Sequence, residues 1–247
     1  MGVVVNTNIS SITASRILSE NRADLEKAME RLASGKRINS AADDAAGMAV
    51  AAKMRADIGS LNQSVRNTND AISLVNTYDG AAAEIESILI RMRELAVQTR
   101  NGTYETADRT NANFEYDALK NEITRIAGVS AFNRMTVGQG SSGAAGGTGV
   151  ADTTFTFYVG SDVAKTGNSI AFAAKALDLN LAVSSGTLNS VVDTASAGQA
   201  IATLDDAITE LAANRAQAGA LINRLEHTVS NLMNVSQRLQ EAVSGIE

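Results

Sequence analysis

Residues 201–246 read IATLDDAITELAANRAQAGALINRLEHTVSNLMNVSQRLQEAVSGI. One set of their apolar members falls at Ile201, Leu204, Ile208, Leu211, Ala218, Ile222, Leu225, Val229, Leu232, Leu239, Val243 and Ile246. The steps alternate three and four, with Arg215 and Ser236 filling the two polar places. Such spacing gathers one set of side chains on one face of an α-helix and is the seam of a coiled coil. A helix over 195–247 would be ~80 Å long at ~1.5 Å per residue. An apolar stripe of that length requires another long helix against it.

Working back along the chain, a second stripe supplies that partner. It runs through Leu61, Val65, Thr68, Ile72, Val75, Ala82, Leu89, Met92 and Ala96. Asp79 and Glu86 break its strict register, and Tyr78 and Ile85 stand one place earlier. The stripe therefore drifts, as on a straighter helix. Residues 42–100 read as one helix of ~90 Å. Asp43 and Asp44 lie where acidic side chains favour a helix start. A third helix is expected over 104–126, with Ala112, Tyr116, Leu119, Ile123 and Ile126 as its stripe. Asn101-Gly-Thr103 is the preceding turn. Near the N-terminus, Ala14, Leu18, Asn21, Leu25, Ala28 and Leu32 repeat the helical spacing. Gly35 supplies a stop. Residues 34–40 then read as a linker.

The middle of the chain changes period. Residues 138–150, GQGSSGAAGGTGV, read as a flexible loop. Phe155, Phe157 and Val159 alternate with Thr154, Thr156 and Tyr158, as in a half-buried strand. Ile170, Phe172 and Ala174 mark a second strand, Leu177, Leu179 and Leu181 a third, and 160–167 a hairpin connection. The fold class is therefore mainly α. It is an elongated, antiparallel coiled-coil-like helical rod with a small β-hairpin region inserted mid-chain.

Composition agrees. The 247 residues contain no proline, cysteine or tryptophan and one histidine. Proline disrupts helix interiors, so its absence permits long unbroken helices. No cysteine excludes disulfides and thiolate sites, and one histidine argues against a zinc centre. A net charge of −6 argues against nucleic acid as a partner. No run is apolar enough to cross a membrane, and the start lacks the features of a cleaved secretory signal. Asn6 stands where a myristoylation motif requires Ser or Thr.

No constellation points to catalysis. Asp43-Asp44 reads as a helix start and Asp205-Asp206 as a solvent-facing pair. His227 has no nucleophile pointing to it. The glycines of 138–149 lack the Lys-Ser/Thr ending of a phosphate loop. No enzyme activity, cofactor or metal is expected. Four N-glycosylation patterns begin at Asn8, Asn62, Asn101 and Asn234, a commonplace in an Asn-rich chain.

Several motifs together are specific. They are Val5-Asn-Thr-Asn-Ile9, LEKAMERLASGKRINSAADDAAGMAVA at 25–51, RMRELAVQ at 91–98 with the following Asn-Gly-Thr turn, Ala131-Phe-Asn133, and NRLEHTVSNL at 223–232. In these the chain resembles bacterial flagellin across about 3–137 and 198–247. The resemblance implies an inner-tube helix and linker over 1–44 and a rod domain over 45–247. Residues 138–197 would form the Gly-rich loop and β region, with no large outer domains. It also implies that the C-terminal inner-tube segment is absent, the chain stopping at Glu247 as if truncated.

The implied role is a structural subunit that polymerises with itself into the motility filament. Leu18, Leu25 and Leu32 would serve inner-tube assembly. Arg91, Leu95, Gln98 and Glu115 match the surface that packs between subunits and that host Toll-like receptor 5 recognises on monomers. Further implied partners are the flagellar cap and hook-junction proteins, and an export chaperone whose site lies largely beyond Glu247. Export would proceed without a cleaved signal peptide, to the extracellular flagellum. Two other roles fit the same scaffold: a hook–filament junction protein, and a surface adhesin or glycan binder with its site in 138–197. RMRELAVQ and its turn favour the first role over the junction protein. The small insert, poor in aromatics, disfavours the adhesin.

Overall fold

A computed structural model of the chain describes residues 8–138, 153–160, 167–175, 177 and 190–247. In chain order the elements are α1 (Ile9–Ser34), α2 (Ala45–Arg100), α3 (Thr106–Val129), β1 (Ala131–Phe132), β2 (Met135–Thr136), β3 (Thr153–Tyr158), β4 (Ser169–Ala174) and α4 (Thr194–Ile246). Contacts divide the chain into two units, Met1–Ser60 with Asn234–Glu247, and Leu61–Met233. This grouping keeps 45–60 and 234–247 with the N-terminal helix, whereas the family resemblance divides the chain by role at 44.

The second unit is built on the two stripes. Val75, Ala82, Leu89, Met92 and Ala96 of α2 and Leu204, Leu211 and Ala218 of α4 join one core. From α3, Tyr116, Ile123 and Ala127 are buried in the same core, as their spacing requires. The drift in the α2 stripe has a cause in the hairpin. Tyr78 leaves the strict register to place its ring 5.4 Å from that of Phe172 in β4. The two rings meet edge to face, an arrangement their quadrupoles favour. The Tyr78 hydroxyl donates to the Lys175 carbonyl at 3.1 Å. Tyr116 is wholly enclosed. Burial pushes its hydroxyl pKa up to about 12, since the charged form loses hydration.

The expected alternation of β3 and β4 is present. The strands pair antiparallel with Phe155 opposite Phe172 and Phe157 opposite Ile170. On this hairpin Ile170, Phe172 and Ala174 are buried while their neighbours face outward. The Gly-rich loop beyond Gly138 and the third expected strand, Leu177 apart, lie outside the described residues. Gly138 itself is required, since a Cβ there would stand 2.8 Å from the Ala127 carbonyl oxygen. The two-residue strands β1 and β2 are not foreshadowed by periodicity. They close through Asn133 and Arg134 with φ of 49° and 65°. This is a tight hairpin turn, in which arginine is an unusual occupant.

In the first unit α1 ends at Gly35, whose φ is 69°. That left-handed backbone is the usual helix stop. It lets the Gly35 N–H return to the Arg31 carbonyl at 2.9 Å. The Asp pair divides its labour. Asp44 accepts from the Gly47 N–H at 2.8 Å and so starts α2 by satisfying a first-turn donor. Asp43 points the other way, into the linker, and contributes nothing to that helix start.

Candidate functional site

Of the four residues at 91, 95, 98 and 115, the structure brings Arg91 and Glu115 into contact, where α3 folds back beside α2. Arg91 Nε donates to Glu115 Oε1 at 2.9 Å and its Nη1 to Glu94 at 3.1 Å. The two carboxylates, Glu115 first, raise the Arg91 pKa above its ordinary value. Gln98 Nε2 donates to the Tyr104 hydroxyl at 3.2 Å, and both lie beside the turn. Arg109 of α3 fixes that turn by donating to the Thr99 and Asn101 carbonyls at 2.9 and 3.1 Å. Thr99 lies in the last turn of α2 and Asn101 just past its end, so one guanidinium from α3 caps the end of α2. Arg91, Gln98 and Glu115 are exposed, but Leu95 is not: only 3% of it is accessible. It sits next to Ala96 on the inward face of α2 and supports the surface from beneath rather than presenting itself. The apolar side chains that do reach solvent on these helices include Ile90, Val97 and Phe114, the last 67% exposed. The sequence pattern marks none of them.

The second predicted set lies on α1. That helix of 26 residues has no buried member. Leu18, Leu25 and Leu32 are 55%, 64% and 88% exposed. Ile9, Ile12, Ile17 and Met29 are exposed as well. This is an amphipathic helix whose apolar face has no cover within the described residues. Its C-terminal half is instead anchored by charge. Asp43 Oδ1 pairs with Lys27 at 2.7 Å and with Arg31 at 3.6 Å. Its other oxygen accepts from the Asn39 and Ser40 N–H groups at 3.3 and 3.2 Å and from the Ser40 hydroxyl at 3.2 Å. Lys27, followed by these linker donors, holds the Asp43 carboxyl well below the usual carboxylate range. The linker also meets the chain's other end, where Lys36 and Arg55 pair with Glu247.

The polar interruptions of the two stripes find each other. Arg215 of α4 donates to Asp79 at 2.8 Å and to Glu86, both on α2. Asp79 and Glu86 are seven residues apart, so one guanidinium spans about two helical turns and marks a single register of α2 against α4. The signal is present in the sequence, two acids in one seam and one base in the other. It cannot be read without knowing which residues face each other. Farther along α2, Arg93 pairs with Asp205 at 2.5 Å. His227 is exposed. Among the described residues no cluster of His, Asp or Glu is placed to hold a metal ion. No described helix is long and apolar enough to cross a membrane.

Long helices locked by heptad seams and joined by ion pairs define a mainly helical, coiled-coil-like protein. Comparison with known proteins then identifies the family. Residues 5–142 match the model of the bacterial flagellin N-terminal helical region, and residues 201–247 that of its C-terminal helical region. The chain is 39% identical to a flagellin of Halalkalibacterium halodurans over 99% of its own length and 85% of the relative's. It is also 39% identical to a flagellar filament core protein of Brachyspira hyodysenteriae, over 94% of this chain and 81% of that one. Among solved structures it resembles Bacillus cereus flagellin, with a TM-score of 0.55 and 35% identity over 68% of this chain and 88% of that one. A putative flagellar hook-associated protein from Vibrio parahaemolyticus shares the fold at a TM-score of 0.67, with 11% identity, over 83% of this chain and 99% of that one. The chain belongs to the bacterial flagellin family. It is a structural subunit of the flagellar filament and not an enzyme.

Proposed function

We propose that the subunit assembles through two surfaces, each using one of the residue sets above. The first is the apolar face of α1, with Leu18, Leu25 and Leu32 entering the inner layer of the polymer. The observation that carries this reading is the complete exposure of α1. Burying a leucine contributes about 1.5–3 kcal/mol, so three on one helix provide a substantial drive to association. A repeated, head-to-tail contact of this kind propagates into an open helical filament. The inner-tube role of residues 1–44 and the rod role of 45–247 follow from the same reading.

The second surface is the α2–α3 face around Arg91, Gln98 and Glu115, with Leu95 packing its base. An arginine between two carboxylates beside exposed apolar side chains has the composition of an interface hot spot. It would pack between subunits along the filament and, on free monomers, be the face that Toll-like receptor 5 recognises. The flagellar cap, the hook-junction proteins and an export chaperone complete the set of partners, with export proceeding without a cleaved signal peptide.

Seeded polymerisation followed by electron microscopy tests the first surface. Replacing Leu18, Leu25 and Leu32 together with alanine should abolish elongation while leaving the helical content of the second unit intact. Normal filaments from that variant would refute the role given to α1. For the second surface, Arg91→Ala should weaken both elongation and receptor signalling. Undiminished activity in both assays would remove Arg91 from the interface.

A further inference from the structure

The turn between α2 and α3 carries a feature outside the two residue sets above. Asn101-Gly102 is the sole Asn-Gly step in the sequence. Both residues are exposed and lie immediately after the last residue of α2. The Asn101 backbone is held, its N–H donating to the Gln98 carbonyl at 3.2 Å and its carbonyl accepting from Arg109 at 3.1 Å. Its side chain is not: among the described residues no hydrogen bond reaches the Asn101 amide group or the Gly102 N–H. Three other asparagines are engaged. Asn8 caps α1, Asn113 accepts from the Val191 N–H, and the Asn168 side chain is packed against Gly160. Gly102 has no Cβ to obstruct approach. Nothing lies within 4 Å of where one would stand.

We propose that Asn101 is a site of spontaneous deamidation and backbone isomerisation. The Gly102 nitrogen gives up its proton and attacks Asn101 Cγ. The N–Cγ bond forms, the Cγ–Nδ2 bond breaks, and Nδ2 leaves as ammonia carrying a proton. Water then reopens the cyclic imide at one of its two carbonyls. Opening at Cγ leaves aspartate; opening at the backbone carbon leaves isoaspartate. No oxidant or reductant is involved. Either product places a new carboxylate at the C-terminal end of α2, where the helix dipole disfavours negative charge. Isoaspartate also routes the backbone through Cβ and Cγ, so the former Asn101 carbonyl that accepts from Arg109 becomes the free carboxylate. The modification therefore changes the charge and the backbone path of the turn that sets α3 against α2.

The test incubates the intact chain at mildly alkaline pH, where the attacking nitrogen is more readily deprotonated. Peptide mapping then reads amide-to-acid conversion at each asparagine. An isoaspartyl methyltransferase with labelled S-adenosylmethionine reads the isomerised product. Conversion at Asn101 should exceed that at Asn39 or Asn168, and Gly102→Ala should slow it about tenfold or more, because the added Cβ obstructs the attack. Gly102 has neither a positive φ nor a close neighbour, so the variant keeps its fold. Two results would overturn the proposal. One is Asn101 staying intact in the folded chain while the excised peptide converts. The other is Gly102→Ala converting at the unsubstituted rate.

Discussion

Leucines at heptad spacing mark both α1 and α4, at Leu18, Leu25 and Leu32 in one and at Leu204, Leu211, Leu225 and Leu232 in the other. In α4 each of the four is buried. In α1 all three are exposed, Leu32 by 88%. The helices have the same periodicity and comparable regularity, so the difference lies in what stands opposite. The α4 seam meets α2 and the hairpin. The α1 seam meets nothing among the described residues, and charge on Asp43 anchors the helix instead. A heptad states that a face will be buried; it does not state by which chain.

Leu225→Ala should lower the stability of the second unit by about 2–5 kcal/mol, read by urea or thermal unfolding, because the cavity cannot collapse between two rigid helices. A loss no larger than that of an exposed leucine would mean that the α4 seam is less tightly packed than its burial indicates. Arg215→Ala tests what the seam gains from charge. It should cost about 1 kcal/mol, the pairs being partly exposed, and leave Asp79 and Glu86 repelling each other. Arg215→Ala together with Asp79→Asn and Glu86→Gln should recover part of that loss, as measured in a multiple-mutant cycle.

The Asp43 anchor should respond to acid. Its ionised form is favoured in the folded chain, so its pKa is depressed there relative to the unfolded chain. The stabilisation is therefore complete above the ordinary carboxylate range. It is lost only as pH falls through and below that range. Limited proteolysis between α1 and α2, over residues 35–44, should stay slow at neutral and mildly acidic pH and accelerate in strong acid. Asp43→Asn should show fast cleavage at every pH. Equal cleavage of both proteins at neutral pH would show that the anchor does not hold the linker. The smallest effect is expected in α1. Leu25→Ala should change monomer stability by within about 0.5 kcal/mol, since no packing is removed. A larger loss would mean that α1 has a partner in the monomer after all.

Much of this architecture is legible in residue spacing. The expected helix over 42–100 is observed as Ala45–Arg100, and the two alternating runs form β3 and β4, with the expected face of β4 inward. Long periodic segments are readable because many weak preferences agree over many turns. What spacing misses is local or long-range. The β1–β2 turn depends on the left-handed backbone at Asn133 and Arg134, and Arg134 carries no signal of it. RMRELAVQ suggests a surface place for Leu95, but the phase of the helix turns it inward. Asp43 reads with Asp44 as a helix start, and the fold gives it Lys27 and Arg31 instead. In the Asp43 case the deciding contact joins residues that local periodicity does not relate.

The absence of proline, the heptads of α2 and α4 and the alternation at 154–159 determined by themselves that this would be a mainly helical protein with a small hairpin. Those properties are set by backbone sterics and side-chain period, which act within a few residues. Only the tertiary structure decided that Arg215 bridges Asp79 and Glu86, that Tyr78 leaves its register for Phe172, and that Arg91 reaches Glu115. It alone left Leu18, Leu25 and Leu32 in solvent. Those outcomes depend on distances between elements far apart in the chain, and a one-dimensional pattern carries the faces but not their pairing.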